Sequence, residues 1–375
     1  MKLSRAHRIQ GRLRLPGDKS ISHRAAIIAS IASGQSTIKN YSTAVDCSST
    51  LECLKQLGVR INRSGSVIEI EGAERLQRPD SPLDCGNSGT TIRVLSGVLA
   101  RQDFPCELSG DSSLNSRPMG RIIQPLELMG ARFVSNEGKP PLIVHGAAEI
   151  NPIVYELPVA SAQVKSAILF AALGAHGRTQ VKESSLSRDH TERLFNGFGV
   201  KVTTDADLTV TLDGPAQLIG GDITIPGDVS SAAYFVAAAM LLPGSDLVIE
   251  DVGLNPTRAE FLSVLSSWGA DISTEGIELE RNEPIGTIRV HGGIGSSASI
   301  ERKLAKPKIP SVIDELPLLA VVGTQIHGGI EIRDAAELRH KESDRLKATA
   351  INLRRMGAEV EEHPDALIDQ KQRPA

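Results

Sequence analysis

The hydrophobic positions of this chain repeat one short pattern five times. An apolar residue, a glycine, a small or branched residue and an alternating run follow one another. The copies are Leu57-Gly58-Val59-Arg60-Ile61, Met129-Gly130-Ala131-Arg132-Phe133, Phe198-Gly199-Val200-Lys201-Val202, Trp268-Gly269-Ala270-Asp271-Ile272 and Met356-Gly357-Ala358-Glu359-Val360. Each predicts a helix end, a left-handed glycine just past it, and then a strand. The residues before the glycines have helical spacing. Phe261, Leu262, Leu265 and Trp268 share one face, as do Leu346, Ala350, Leu353 and Met356. The glycines recur at roughly 70-residue intervals, with one longer gap before Gly357.

The repeat predicts several similar α/β units. Alternation at 67–70 and 288–290 predicts strands with one wet face, while 231–242 is apolar all round and predicts a buried helix. Buried helices with half-exposed sheets are unlike a doubly wound fold, whose helices lie outside. Two matching domains would give an even number of junctions. The fifth therefore leads to the expectation that a sixth unit is missing.

Composition narrows the function. A chain of 375 residues predicts two or three domains and a core large enough to need neither disulfides nor a structural metal. No apolar run is long enough to span a bilayer. The basic N-terminus has no apolar stretch behind it, so no secretory signal is expected. Cys47, Cys53, Cys85 and Cys106 form no C-x2-C pair; they read as small core residues in a reducing cytoplasm, with no metal and no cofactor expected. A net charge of −4 and 3% aromatic content offer neither a field nor stacking surfaces for nucleic acid. Basic residues gather instead in short motifs, which suits a small anionic ligand. A monomer is expected.

Leu15-Pro16-Gly17-Asp18-Lys19-Ser20-Ile21-Ser22-His23-Arg24 is a turn entering a helix, which Ser20 or Ser22 could cap. A helix start carrying Lys19, Ser20 and Arg24 can hold an anion, though a capped helix with solvated charges has the same pattern. Cys85-Gly86-Asn87-Ser88-Gly89-Thr90-Thr91-Ile92-Arg93 is a second such turn, where glycine permits close backbone approach to a ligand. Arg117 precedes Pro118, placed near the first position of a helix, and can grip a carboxylate or phosphate bidentately. Arg121 reads as a second donor or as solvated. Ser161, Ala162 and Gln163 open an apolar helix, with Ser161 as its cap or Gln163 aimed at ligand oxygens. The string Ser187-Arg188-Asp189-His190-Thr191-Glu192 could be a surface face, and His190 lacks a second ligand at metal spacing. Asp314 and Glu315 sit in an apolar stretch, where carboxylates must be paired or functional. Lys341, Glu342 and Arg345 open the last clear helix, where an acid beside two cations can be tuned to move a proton.

Taken in order, these strings resemble the 5-enolpyruvylshikimate-3-phosphate synthase family. The matching segments are LPGDKSISHR at 15–24, GNSGTTIR at 86–93, GDSSLNSRPMGR at 110–121, SAQVK at 161–165, SRDHTE at 187–192, IPGDVSSAAY at 225–234, NPTR at 255–258, IDELP at 313–317 and KESDRL at 341–346. Several look like its class II branch. The resemblance implies a two-domain inside-out α/β barrel of repeated α/β units, the enolpyruvyl transferase fold. The first domain would take 1–14 plus 229–375, with 15–228 inserted as the second. It implies transfer of the enolpyruvyl group from phosphoenolpyruvate to the 5-hydroxyl of shikimate 3-phosphate.

By the same resemblance, Lys19, Ser20, Arg24, Ser161, Ala162, Gln163, Arg188, Asp314 and Lys341 would contact shikimate 3-phosphate. Lys19, Gly89, Thr90, Arg117, Gln163 and Arg345 would hold phosphoenolpyruvate. Asp314 would take the 5-hydroxyl proton, and Glu342 would protonate the methylene carbon. Lys19 counts among the catalytic set with Asp314 and Glu342. The family's sixth unit carries an Asp-His-Arg-[Ile/Met]-Ala-Met segment and a later Lys. Here the chain reads DQKQRPA, so a shortened C-terminus and weak phosphoenolpyruvate binding are expected. The alternative from another class is a non-catalytic protein that still binds shikimate 3-phosphate. The related UDP-N-acetylglucosamine enolpyruvyltransferases carry a reactive Cys where this chain has Ser112.

Overall fold

The computed structural model describes residues 6–73, 75–294, 303–326 and 328–369. The expectation about residues 370–375 of the polar tail lies outside them. The chain divides into two compact units. The larger takes residues 16–226 and 279–283; the smaller takes the described residues of 1–15, 227–278 and 284–375.

All five junctions form as the pattern predicts. Gly58, Gly130, Gly199, Gly269 and Gly357 have φ between +86° and +108°, and each follows a helix and precedes a strand. Only a residue without Cβ takes that conformation at no steric cost, which is why glycine recurs there.

Among the described residues there are five four-stranded sheets of one design. The larger unit holds three. The first contains Ile223–Thr224, Gln35–Lys39, Val67–Glu71 and Arg60–Ser64. In each sheet the first strand pairs parallel with the second. The second then pairs antiparallel with the third. The alternation is visible in Val67–Glu71, where Ile68 and Ile70 are buried and Glu69 and Glu71 exposed.

Three apolar helices fill the middle of the larger unit: Lys19–Ile31, Gly89–Leu99 and Ala162–Ala172. They contribute Ala25 to Ala29, Val94, Leu95, Val98 and Ala167 to Ala172 to one core. The second and third approach so closely that a Cβ on Gly97 would lie 2.1 Å from the Ala167 carbonyl oxygen. The smaller unit has its own core, built on Val229, Val236, Phe261, Leu265, Trp268, Leu319 and Leu353.

Two burial expectations fail. The apolar helix runs Val229–Leu241 and is not buried all round, since Tyr234 and Phe235 are exposed. Met356 is exposed while Leu346, Ala350 and Leu353 on the same predicted face are buried. Met356 is the helix's C-cap, beyond its last packed turn. Among the described residues no helix is long and apolar enough to cross a membrane.

Candidate active site

The larger unit gathers its cations at helix starts. Asp18 caps the first helix, its buried carboxylate accepting the Ile21 N–H at 2.9 Å. The cap is therefore neither Ser20 nor Ser22, because an aspartate one residue ahead of the helix reaches that amide first. Lys19 extends to Asp46, with its Nζ 2.9 Å from the carboxylate.

Arg24 lies one turn further in and is buried. Its Nε donates to Thr191 Oγ1 at 2.8 Å, Nη1 to the Ser20 carbonyl at 3.0 Å and Nη2 to Ser166 Oγ at 2.9 Å. All three acceptors are neutral. Burial pushes its pKa down to about 10; Glu192 opposes this and the nearby charge of Arg188 adds to it. Ser166 also donates to the Ala162 carbonyl at 2.6 Å, which brings the start of the third central helix beside Arg24. Ser161 caps that helix, as one of its two readings predicts.

The turn before Gly89–Leu99 makes a second cluster. Ser88 caps this helix. Gly89 has no Cβ, and one built there would stand 2.6 Å from Arg93 Nη1 and 3.1 Å from Arg117 Nη1. Two guanidinium groups thus converge on one bare Cα. Arg93 donates to Gln163 Oε1 at 2.8 Å, and Gln163 Nε2 donates to Thr90 Oγ1 at 3.0 Å. Arg117 donates to Asn87 and to Ser113, both neutral, and its buried Nε has no partner among the described residues. Gly89, Thr90, Arg117 and Gln163 are therefore together. Arg93 was missed. The signal was its place at the end of GNSGTTIR, four residues after Gly89 and one helical turn along. Pro118 is not at the start of a helix; the helix runs Gly120–Leu128, after a short one at Ser112–Asn115.

Behind Arg24 lies a buried charge network. Lys165 Nζ is 2.6 Å from Glu183 and 2.7 Å from Glu192, with all three side chains buried. The two carboxylates hold the Lys165 ammonium above its ordinary pKa against the opposing pull of burial. His190 Nδ1 lies 2.7 Å from Glu283. The string 187–192 is thus mostly interior, not a surface face. Among the described residues no group of three or more His, Cys, Asp or Glu is arranged to hold a metal ion.

The smaller unit gathers the acids. Asp314 and Glu315 lie between the helices Ile309–Val312 and Leu316–Gly323. Glu315 is buried, accepting from Ser230, which also accepts from Arg258. Asp314 instead lies 2.9 Å from Arg345 Nη1 and 3.7 Å from Lys341 Nζ. Arg345 Nη2 is 2.7 Å from Glu342, so one guanidinium bridges both acids. Burial works to lower the Arg345 pKa, but Asp314 and Glu342 raise it above its ordinary value. The helix begins at Arg345 with Asp344 as its cap, so Lys341 and Glu342 precede it. Asp314, Lys341, Glu342 and Arg345 form one cluster.

Three comparisons bear on this arrangement. The family described as EPSP synthase (3-phosphoshikimate 1-carboxyvinyltransferase) matches residues 3–374. A 3-phosphoshikimate 1-carboxyvinyltransferase from Solibacter usitatus (strain Ellin6076) is 48% identical over 370 residues, which is 98% of this chain and 85% of that protein. Its counterpart from Streptococcus equi subsp. equi (strain 4047) is 46% identical, covering 100% of this chain and 87% of its own length. In three dimensions the chain is similar to EPSP synthase from Acinetobacter baumannii. The TM-score is 0.85 and the identity 38%, over 98% of this chain and 83% of that one.

Proposed function

The chain belongs to the EPSP synthase family, and from that premise we propose that it transfers the enolpyruvyl group of phosphoenolpyruvate to the 5-hydroxyl of shikimate 3-phosphate. Phosphate is the second product. The step lies on the shikimate route to chorismate and the aromatic amino acids.

The observation that carries the proposal is the pairing of guanidinium groups with neutral oxygens. Arg24 and Arg117 donate to hydroxyl, amide and carbonyl oxygens, so their charge is positioned without being cancelled. A cation held in this way keeps its field for an incoming phosphate or carboxylate. Lys19, Ser20, Arg24, Ser161, Ala162, Gln163 and Arg188 would take shikimate 3-phosphate. Lys19, Gly89, Thr90, Arg117, Gln163 and Arg345 would take phosphoenolpyruvate, with Arg93 added to them by its contact with Gln163.

The acids of the smaller unit suit the proton steps. Asp314 accepts the 5-hydroxyl proton as that oxygen bonds to C2 of phosphoenolpyruvate. Glu342 gives its proton to the C3 methylene, and a tetrahedral ketal results. The C2–O bond to phosphate then breaks, a C3 proton returns to the Glu342 carboxylate as the double bond re-forms, and the proton held by Asp314 leaves with the phosphate. Lys341 and Arg345 balance the negative charge that moves through these steps. The same reading places the chain in the cytoplasm, where the four buried thiols stay reduced, and has it act as a monomer.

The test is phosphate release by the purified 375-residue chain. The expected result is release that needs both substrates. No release above background with both present would overturn the proposal.

A further inference from the structure

Four buried side chains of the larger unit have no part in the chemistry above. His23 Nδ1 lies 2.6 Å from Thr50 Oγ1, which lies 2.7 Å from Thr91 Oγ1. Thr91 Oγ1 donates to Ser88 Oγ at 2.7 Å, and Ser88 Oγ also accepts the Thr91 N–H at 3.1 Å. All four residues are wholly buried. The chain of contacts runs from the helix Lys19–Ile31, through the helix Val45–Gln56, to the cap of the helix Gly89–Leu99.

Its direction follows from proton counting. A threonine hydroxyl has one proton to give. Thr91 gives its proton to Ser88, so it accepts from Thr50. Thr50 is then spent as a donor and accepts from His23. The imidazole is therefore the Nδ1–H tautomer, and its buried Nε2 is the ring nitrogen without a partner among the described residues. Burial, with help from the charges of Lys19 and Arg24, lowers the His23 pKa to about 3. Asp46 and Asp18 oppose that shift without reversing it, so the ring acts as a neutral donor.

Three of the four residues alternate with the proposed ligand set along the chain, and Thr50 joins them from the helix Val45–Gln56. His23 stands between Lys19 and Arg24, while Ser88 and Thr91 flank Gly89 and Thr90. We propose that His23 is a positioning residue: through Thr50 and Thr91 it fixes the Ser88–Thr90 turn, and so the phosphoenolpyruvate end of the site, against the helix that carries Lys19 and Arg24. The proposal rests on the enzyme reading above. Leucine at position 23 fills the space without a donor and leaves a buried hydroxyl short of one bond. Asparagine offers an amide Nδ2 near the place of the imidazole Nδ1.

The experiment combines steady-state kinetics in both substrates, calorimetry with shikimate 3-phosphate, and nitrogen NMR of the His23 ring. His23→Leu should raise KM for phosphoenolpyruvate about tenfold or more and leave shikimate 3-phosphate affinity nearly unchanged. His23→Asn should recover most of the loss. The wild-type ring should show Nδ1–H and no titration between about pH 5 and 8. Equal weakening toward both ligands, a loss explained by a smaller folded fraction alone, or an Nε2–H ring in an active enzyme overturns the proposal by itself. A wild-type chain that releases no phosphate sinks the enzyme reading and this proposal together.

Discussion

In the larger unit Arg24 and Arg117 are held by neutral oxygens, whereas in the smaller unit Arg345 is held by two carboxylates. The contrast agrees with the roles proposed for the two clusters. Neutral acceptors fix a guanidinium while leaving its charge uncompensated, which suits anion capture. Arg345 instead bridges Asp314 and Glu342 and fixes their geometry, which suits groups proposed to move protons while the same cation faces an anionic ligand. Burial differs in the same sense. Arg24 is inside the core, while Asp314 is partly exposed and Glu342 exposed.

Removing the proposed proton donor should show the largest effect. Glu342→Gln is expected to lower kcat by about 10²–10⁴-fold while shikimate 3-phosphate affinity in calorimetry moves little. Equal losses in turnover and affinity would erase the distinction between the clusters. Arg24→Met comes next and should weaken shikimate 3-phosphate binding by about 1.5–3 kcal/mol. The melting temperature should fall only slightly, because Ser166 and Thr191 already hydrogen-bond to each other at 2.7 Å.

Gly97→Ala probes the helix spacing behind the neutral cluster. Its Cβ would meet the Ala167 carbonyl, so a cost of about 1–3 kcal/mol in unfolding free energy is expected, read from a urea titration. The smallest effect, per pH unit, is a pH slope. The His23 pKa is depressed in the folded state, so the unfolded chain binds the extra proton between the ordinary value of 6.5 and about 3. Stability should therefore fall as pH falls through that window, with a slope of at most about 1.4 kcal/mol per pH unit from this group. His23→Asn should flatten the slope in denaturation midpoints measured at several pH values.

Much of this was legible before any coordinates. The five glycine junctions were readable because a left-handed helix end is a local event, decided by one residue and its neighbours. The Ser161 cap and the Gly86–Arg93 turn entering a helix were readable for the same reason. Arg93 was harder to find. Its importance comes from Gln163, 70 residues away in sequence, and no spacing rule links the two. From sequence, Ser20 or Ser22 could cap the first helix, and the structure puts Asp18 there. The exposure of Tyr234 and Phe235 was not readable either, since hydrophobicity reports what can be buried and not whether a neighbour is there to bury it.

From the order of residues alone come the repeating helix-glycine-strand design, the expectation of anion binding and the resemblance to one family, because each rests on short-range conformational preference or on motif identity. Tertiary structure decided which of the adjacent acids is which. Glu315 turns inward to Ser230 and Arg258, while Asp314 meets Arg345 and Lys341. It also joined His23 to Ser88 through Thr50 and Thr91. Neighbouring residues on one chain differ in role only through partners brought from distant segments, and those partners are chosen by packing.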